Sequence, residues 1–468
     1  MAKNQNLNSA ARAKNDEFYT QFDDIQREMN CYYLYDKNFL RGKTVLLPCD
    51  DPEYSNFTKF FAMNFELYGL KKLISTSYAA DKKKFIYKPM RSLFDEFEDW
   101  SEPQFNASKD FSHGRIYTLE QKDLEAVDYP LKALQRWEYL EGDGDFRSAE
   151  VKKLRDEADV IITNPPFSMF REFLAWIMEA DKKFLIIGNI NCITYKEVFP
   201  LIMQNKIWLG NGMGRWISGF LVPDDYELYG TEARTDKKGN RIVATNQCLW
   251  LTNLEHGKRH RPLDLMTKAD CELCHPKVHG VGFQKYDNYD AIEVPATDAI
   301  PSDYKGVMGV PITFLDKYCP EQFELLGCSY QYGDCGYHVP GTDWNCYLNG
   351  KRMFKRLFIR HRRQKMDIND FRKLWSEDKV QLTNHGLKRM ALRNISIDDV
   401  GNCVMNGEII EEYPDDYPYP SALIFGHKLT GEIIHVVCGI DEEKIYFITA
   451  YEPTTEKFME DLRTRRQK

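Results

Sequence analysis

Residues Asp159-Val160-Ile161-Ile162-Thr163-Asn164-Pro165-Pro166-Phe167 constrain this chain more than any other stretch. Val160 to Thr163 is apolar and β-branched, the pattern of a strand buried on both faces. A polar residue, two prolines and an aromatic stop it abruptly, and a helical run from Met169 to Ala180 begins at once. A buried strand that turns directly into a helix belongs to an α/β sheet. Such sheets bind ligands outside the carboxyl ends of their strands, and Asn164 stands at such an end.

The turn offers particular chemistry. Asn164 carries a side-chain carbonyl acceptor. Each proline fixes its own φ, and Pro166 also keeps Pro165 out of the helical region, so main-chain carbonyls are held in place. Phe167 supplies a flat face for stacking. Two acceptors and a ring can hold a planar exocyclic amine. The alternative is a proline-stiffened turn with no chemistry. The tetrapeptide Asn164-Pro165-Pro166-Phe167 resembles the catalytic motif of amino-methyltransferases that use S-adenosylmethionine.

Other stretches repeat the alternation. Thr44-Val45-Leu46-Leu47-Pro48 reads as a first buried strand, with an acidic turn Cys49-Asp50-Asp51-Pro52 and a helix beginning near Ser55. This turn lacks a glycine-rich fingerprint, and its carboxylates repel phosphate and suit a cationic ligand. Lys72 to Ser77 is a second strand and Lys183 to Gly188 another, followed by a helix near Tyr195–Gln204. Strands alternating with helices from 44 to 204 imply a mainly parallel sheet covered on both faces. Residues 82–138 are irregular and charged and read as an insertion, with a short strand near Arg115–Leu119. Gly142-Asp143-Gly144-Asp145-Phe146 is an acidic turn shortly before the Asn164 strand. Phe18-Tyr19-Thr20-Gln21-Phe22 leads into a helix that starts with acids, capped by Thr20 or Asp23.

This ordering resembles the EcoRI-type family of DNA adenine methyltransferases over roughly residues 8–363. The resemblance rests on Phe18 to Phe22, the Cys-Asp-Asp-Pro turn, Gly-Asp-Phe at 144–146, Asn-Pro-Pro-Phe and Phe184 to Thr194. It extends to Lys285-Tyr286-Asp287-Asn288-Tyr289-Asp290 and to Gly306 through Phe314, stretches with no catalytic logic of their own. It implies a Rossmann-like S-adenosylmethionine-dependent sheet at 8–205 and a target-recognition, DNA-binding region at 206–363. The implied reaction moves a methyl from S-adenosylmethionine to the N6 amine of an adenine flipped out of duplex DNA.

In that resemblance the Asn164 side chain and the Pro165 carbonyl hold the amine, with Pro166 stiffening the turn and Phe167 stacking on the base. Asp50 and Asp51 face the charged amino-acid end of the cofactor. Asp143 or Asp145, with Phe146, holds its adenine, and Tyr19 and Thr20 close the pocket. The leaving group is a cation becoming neutral, so no metal is expected. The implied protein is a monomer on double-stranded DNA, with a cognate restriction endonuclease as its genetic partner.

Charge and composition set further bounds. The net charge of −8 excludes a wholly basic nucleic-acid coat and leaves room for local patches. Lys351 to Lys373 holds ten Lys or Arg and two Asp, a one-sided run suited to phosphate. Its Lys351, Arg352, Lys355, Arg356, Arg360, Arg362 and Arg363 are candidate DNA contacts, as are Lys258, Arg259 and Arg261 in a compact basic turn. A solvated charged face is the usual reading of a charge run, but one this one-sided, in a protein of net −8 and after a nucleotide-modifying domain, points to phosphate contact. The polar amino terminus and the lack of a membrane-length apolar run suggest a cytoplasmic protein with no membrane partner. Twelve scattered cysteines suggest reduced thiols. Cys271, Cys274, His275 and His279 have a zinc-like spacing without a second pair, and a non-metal loop is the better reading.

A linker at 364–377 precedes a small helix-then-sheet α+β unit at 378–468. It resembles an uncharacterised domain family with a His-x3-Arg-Met opening, here His385, Arg389 and Met390, and a Thr-Ala-Tyr-x-Pro ending, here Thr449 to Pro453. His435 is a candidate to join His385 and Arg389 in space. A docking module and a toxin-type, RNA-cleaving unit are both open. So are rival readings of the whole chain as a cytosine-N4 or protein-glutamine methyltransferase, or as a toxin-associated nucleic-acid-binding protein.

Overall fold

The structure is a computed structural model. It describes residues 19–52, 55–79, 109, 112–125, 137–214, 217–221, 233–235, 241–243, 247–329, 343–362, 366–414, 416, 419–441 and 443–466. The chain divides into two compact units, Met1–His361 and Arg362–Lys468.

The first unit begins with β1 (Tyr19–Thr20) and helix α1 (Phe22–Tyr35), then β2 (Thr44–Leu47), α2 (Asn56–Met63) and β3 (Lys72–Ser77). Next come β4 (Arg115–Glu120), β5 (Glu138–Tyr139), α3 (Ala149–Glu157), β6 (Val160–Thr163), α4 (Phe170–Glu179) and β7 (Lys183–Asn189). β8 (Trp208–Met213), β9 (Phe220–Leu221), β10 (Ala233–Thr235), β11 (Arg241–Val243) and β12 (Cys248–Thr252) follow. One eight-stranded sheet has the order β5-β4-β3-β2-β6-β7-β12-β8. Its middle, β3-β2-β6-β7, is parallel, while β4, β5, β12 and β8 add antiparallel edges.

Alternation along the central strands explains the layering. Leu46, Ile161, Phe184 and Ile186 pack with Phe173, Leu174 and Ile177 of α4 on one face. Val45, Val160, Ile162 and Leu185 pack with Ile25, Met29 and Tyr32 of α1 and Phe57, Phe60 and Phe61 of α2 on the other. Every residue of β2 and β6 is buried, as a strand covered on both faces requires. β8 and β12, which lie beyond the boundary expected at residue 205, belong to this same sheet, so the sheet runs on to Thr252.

Beyond it, β13 (Ile292–Glu293), β14 (Met308–Pro311), β15 (Phe323–Cys328) and β18 (Arg356–His361) form a sheet ordered β13-β14-β18-β15. The short hairpin β16 (Tyr347–Leu348) and β17 (Lys351–Arg352) leads into β18.

The second unit contains α5 (Ile368–Ser376), β19 (Val380–Leu382), α6 (Asn384–Leu392), α7 (Ile397–Asn406), β20 (Glu408–Tyr413), β21 (Ser421–His427), β22 (Ile433–Ile440) and β23 (Ile445–Tyr451). Its sheet runs β19-β23-β22-β21-β20. Helix α5 corrects the expected linker at 364–377. Its Phe371 and Leu374 are buried in the core of this unit. Among the described residues, no helix is long and apolar enough to cross a membrane.

Candidate active site at the carboxyl ends of the central strands

β2 and β6 are neighbours, and their exits meet. Asp50, in the turn after β2, is only 5% exposed. It accepts the Thr163 hydroxyl at 2.6 Å and the Ser55 hydroxyl at 2.6 Å. Ser55 in turn caps α2 by accepting from the Phe57 N–H, a contact worth about 1 kcal/mol. The Asp50 N–H donates to the Thr76 carbonyl at 2.9 Å. Its carbonyl accepts the Ser75 hydroxyl at 2.5 Å. One residue therefore ties together β2, β3, β6 and the start of α2. Asp50 was expected to face a cofactor; both its carboxylate oxygens accept hydroxyls of the protein, so it braces the strand exits.

Asp51 is the more accessible acid of the pair. Its carboxylate lies 3.8 Å from the Arg115 guanidinium, which covers the Trp137 ring at 4.3 Å. Arg115 and Trp137 were not foreseen, because no local pattern announces them.

Asn164 follows Thr163 directly and is half-buried, so the brace on Thr163 also fixes where Asn164 begins. The Pro166 carbonyl accepts from Met169 N–H at 3.0 Å and closes a 3₁₀ turn over Phe167–Met169. Pro165 is the proline whose carbonyl that turn does not use. The Phe167 ring sits 6.0 Å from Phe220, inclined at 59°. Phe220 pairs with Thr20 across β1 and β9, and the Thr20 carbonyl accepts from the Asn56 side chain at 2.8 Å. The structure thus brings Thr20 and Phe167 onto one wall. The Thr20 hydroxyl is buried with no partner among the described residues. Tyr19 pairs with Leu221 through its backbone.

The Gly142–Phe146 turn presses against the exit of β3. Ala79 N–H donates to the Asp143 carbonyl at 2.6 Å. Gly144 has φ +78°, and a Cβ there would stand 2.2 Å from the Ser77 carbonyl, so only glycine fits. Asp143 accepts from Asp145 N–H. Asp145 grips Arg147 at 2.6 Å, and that hydrogen bond holds its carboxyl below the usual carboxylate range. Phe146 was expected to help hold the cofactor's adenine. Its ring is buried edge-on against Phe173 and Trp176, at 5.1 and 5.6 Å, so it anchors the turn to the core.

Helix α1 holds the opposite wall through two acids one turn apart. Asp24 accepts from the Ser218 N–H and hydroxyl at 2.9 and 2.8 Å. Glu28 accepts from Asn211 N–H, Gly212 N–H and the Tyr32 hydroxyl at 2.7, 2.8 and 3.0 Å. Burial pushes the Glu28 carboxyl up to about 7, against the pull of these donors. Both contacts fix the segment that leads to Phe220.

Several basic candidates have partners within the protein. Arg356 is 9% exposed and forks onto Glu293 at 2.7 to 3.2 Å. Arg259 is 8% exposed, with its guanidinium 3.7 Å from the Trp208 ring centre. Lys258 pairs with Asp316 at 2.6 Å. All three have partners within the protein. Arg360 pairs with Glu324 at 2.7 Å in a half-exposed position. Lys351, Arg352, Lys355, Arg362 and Arg261 are exposed. Arg363 lies outside the described residues.

The zinc-like stretch is spread over separate partners. Cys271 is buried and reaches the Ala299 carbonyl, Cys274 is exposed, His279 meets the Glu272 carbonyl, and His275 contacts Asp298 at 3.3 Å. In the second unit His435 is 0% exposed and contacts the Leu462 carbonyl at 2.7 Å, so it is a core residue there. Arg389 is exposed, and the His385 side chain lies outside the described ones.

The family described as "Adenine-specific methyltransferase EcoRI" matches residues 6–391, and a domain of unknown function, DUF4258, matches residues 382–452. The chain is 45% identical over 363 residues to Type II methyltransferase M.EcoRI of Escherichia coli, covering 77% of this chain and 98% of that protein. It is 33% identical over 324 residues to Type II methyltransferase M.MpnI of Mycoplasma pneumoniae, covering 69% and 85%. A Mycoplasma genitalium relative, Type II methyltransferase M.MgeORF184P, is 32% identical, covering 69% and 86%. No solved structure matches.

Proposed function

We propose that this chain, which belongs to the adenine-specific methyltransferase EcoRI family, transfers a methyl group from S-adenosylmethionine to the N6 amine of an adenine flipped from duplex DNA. Membership makes it an enzyme, a site-specific DNA methyltransferase with an α/β fold. The observation that carries the finer reading is Asn164 at the exit of a central parallel strand, beside a braced acidic turn and the Phe167 ring.

The residues present fit the methyl donor. The buried Thr20 hydroxyl has unused hydrogen-bonding capacity. Asp51, beside the Arg115 guanidinium at 3.8 Å, sets a carboxylate at a strand exit, where such sheets bind ligands. Bound there, S-adenosylmethionine supplies a methyl on a sulfonium that leaves as a neutral thioether. Asn164 and the Pro165 carbonyl accept the two amine hydrogens, which favours a pyramidal nitrogen and aims its lone pair. Phe167 stacks on the base, and Phe220 backs that ring. Such alignment supplies about 7–11 kcal/mol in well-oriented reactions, more than the 10²–10⁴-fold that one general acid or base contributes. No dedicated base is required, and the proton leaves after transfer.

Unpairing the base costs a few kcal/mol, repaid by stacking and edge contacts. We propose that the protein acts as a monomer in the cytoplasm, alongside a cognate endonuclease. Modified-base sequencing of genomic DNA from a host expressing the chain tests the reading. N6-methyladenine at one short recurring sequence supports it; unmodified DNA refutes it.

A further inference from the structure

The segment Lys285 to Asp290 contributes nothing to the strand-exit site, yet its side chains are heavily engaged. Asp287 accepts from Asn349 N–H at 3.1 Å and Gly350 N–H at 2.8 Å. These are the two turn residues of the β16–β17 hairpin, at φ +50° and +73°. Two left-handed residues in an Asn-Gly pair make the turn that matches strand twist. Asn288 donates to the Asp343 and Asn345 carbonyls at 3.0 and 2.8 Å and accepts from Tyr347 N–H at 3.1 Å. The Tyr289 hydroxyl donates to the Trp344 carbonyl at 2.8 Å. Three consecutive side chains therefore hold the approach to the hairpin, its first strand and its turn.

A second brace acts on the exit from the hairpin. The buried Arg356 guanidinium, forked onto Glu293, also donates to the Phe354 and Lys355 carbonyls at 3.1 and 3.3 Å. The Tyr286 hydroxyl reaches the same glutamate. What this scaffold presents is unlike ordinary surface. Lys351 and Arg352 are exposed on β17, Lys355 is exposed after it, and Phe354 between them is 62% exposed. A fully bonded polar core is here spent on fixing three cations and a bare aromatic ring.

From this we infer that the 343–355 hairpin is a preorganised DNA-docking ribbon. Lys351 and Arg352 contact phosphates, Phe354 packs against the groove, and Asp287 and Asn288 act as positioning residues. A two-stranded ribbon fits the major groove. Rigid presentation lowers the ordering cost of binding. The inference rests on the DNA methyltransferase reading and adds the element that engages the duplex.

Binding to sheared, unmethylated duplex DNA, measured by anisotropy over a salt series with the full chain, tests it. Each phosphate contact contributes about 0.9 to the slope of log K against log salt. Lys351→Ala with Arg352→Ala should lower the slope by about 1.8. Phe354→Ala should weaken binding at unchanged slope. Asp287→Ala should weaken binding severalfold, and Asp287→Asn, whose amide accepts only one of the two N–H groups, should fall between Asp287→Ala and wild type. An unaltered slope in the double variant overturns the inference, and so does unaltered affinity in Phe354→Ala. Should Asp287→Ala fail to fold, the exposed-residue variants decide alone. Wild-type methyl transfer, measured in parallel, reports separately on the enzymatic reading.

Discussion

The Thr163 hydroxyl donates to the Asp50 carboxylate at 2.6 Å, joining the last residue of one central strand to the acidic turn that follows its neighbour. Asn164 comes next in the chain, so the placement of the proposed amine-holding group depends on this bond. The geometry gives the two adjacent acids different partners, with Asp50 held by the Thr163 and Ser55 hydroxyls and Asp51, proposed to meet the cofactor, 3.8 Å from Arg115.

Asp50→Ala should therefore act on stability. It leaves the Thr163 and Ser55 hydroxyls buried without their acceptor, at about 1–3 kcal/mol for a stranded group. Urea denaturation should show a lower midpoint with an unchanged slope. Asp51→Asn should leave the midpoint in place and weaken S-adenosylmethionine binding in calorimetry. The reverse pattern would mean that the roles are exchanged.

The two arginines at positions 356 and 360 should behave differently despite sharing one strand. Arg356→Ala strands the buried Glu293 carboxylate, and breaking such a pair costs about 3–5 kcal/mol. Arg360→Ala removes a half-exposed pair worth about 0–1 kcal/mol. Equal thermal shifts for the two variants would refute the burial argument.

This contrast also shows what a sequence can reveal. Val160 to Thr163 declares itself, since four apolar-biased residues before Asn-Pro-Pro have few other folds to join. The strands at 44–47, 72–77 and 183–189 were legible for the same reason. Arg356 was not. Within a run of cations nothing local marks the one whose partner, Glu293, lies in another strand. β8 and β12 read as part of a recognition region because the pairing of β12 with β7, and of β8 with β12, is a long-range fact. Helix α5 was hidden because its charged face dominates the composition, although Ile368, Phe371 and Leu374 keep a helical spacing.

Glu28 should make stability depend on pH. Its carboxyl is raised to about 7 in the folded protein and stands at 4.5 when unfolded. Between these values the folded state keeps a proton that the unfolded state has lost, so stability falls as pH rises through the window and levels off above it. Each pH unit is worth up to about 1.4 kcal/mol. Glu28→Gln cannot titrate, and its stability measured from pH 5 to 8 should lack this component. Parallel curves for wild type and variant would exclude the effect.

The unit from Arg362 onward has its own core. A chain ending at His361 should fold and retain methyl transfer to DNA at near wild-type rate. A turnover loss exceeding 10-fold, in a variant with intact circular dichroism, would show that the second unit takes part in catalysis.

The most direct measurement is transfer of labelled methyl from S-adenosylmethionine to duplex DNA, with the product nucleoside identified, for wild type and Asn164→Ala. The account predicts label in N6-methyladenine for wild type, and a loss of at least about 100-fold for Asn164→Ala while cofactor binding persists, in the range of losing one preorganised catalytic contact. Label in cytosine or in protein, or an Asn164→Ala variant that methylates adenine at the wild-type rate, would contradict it.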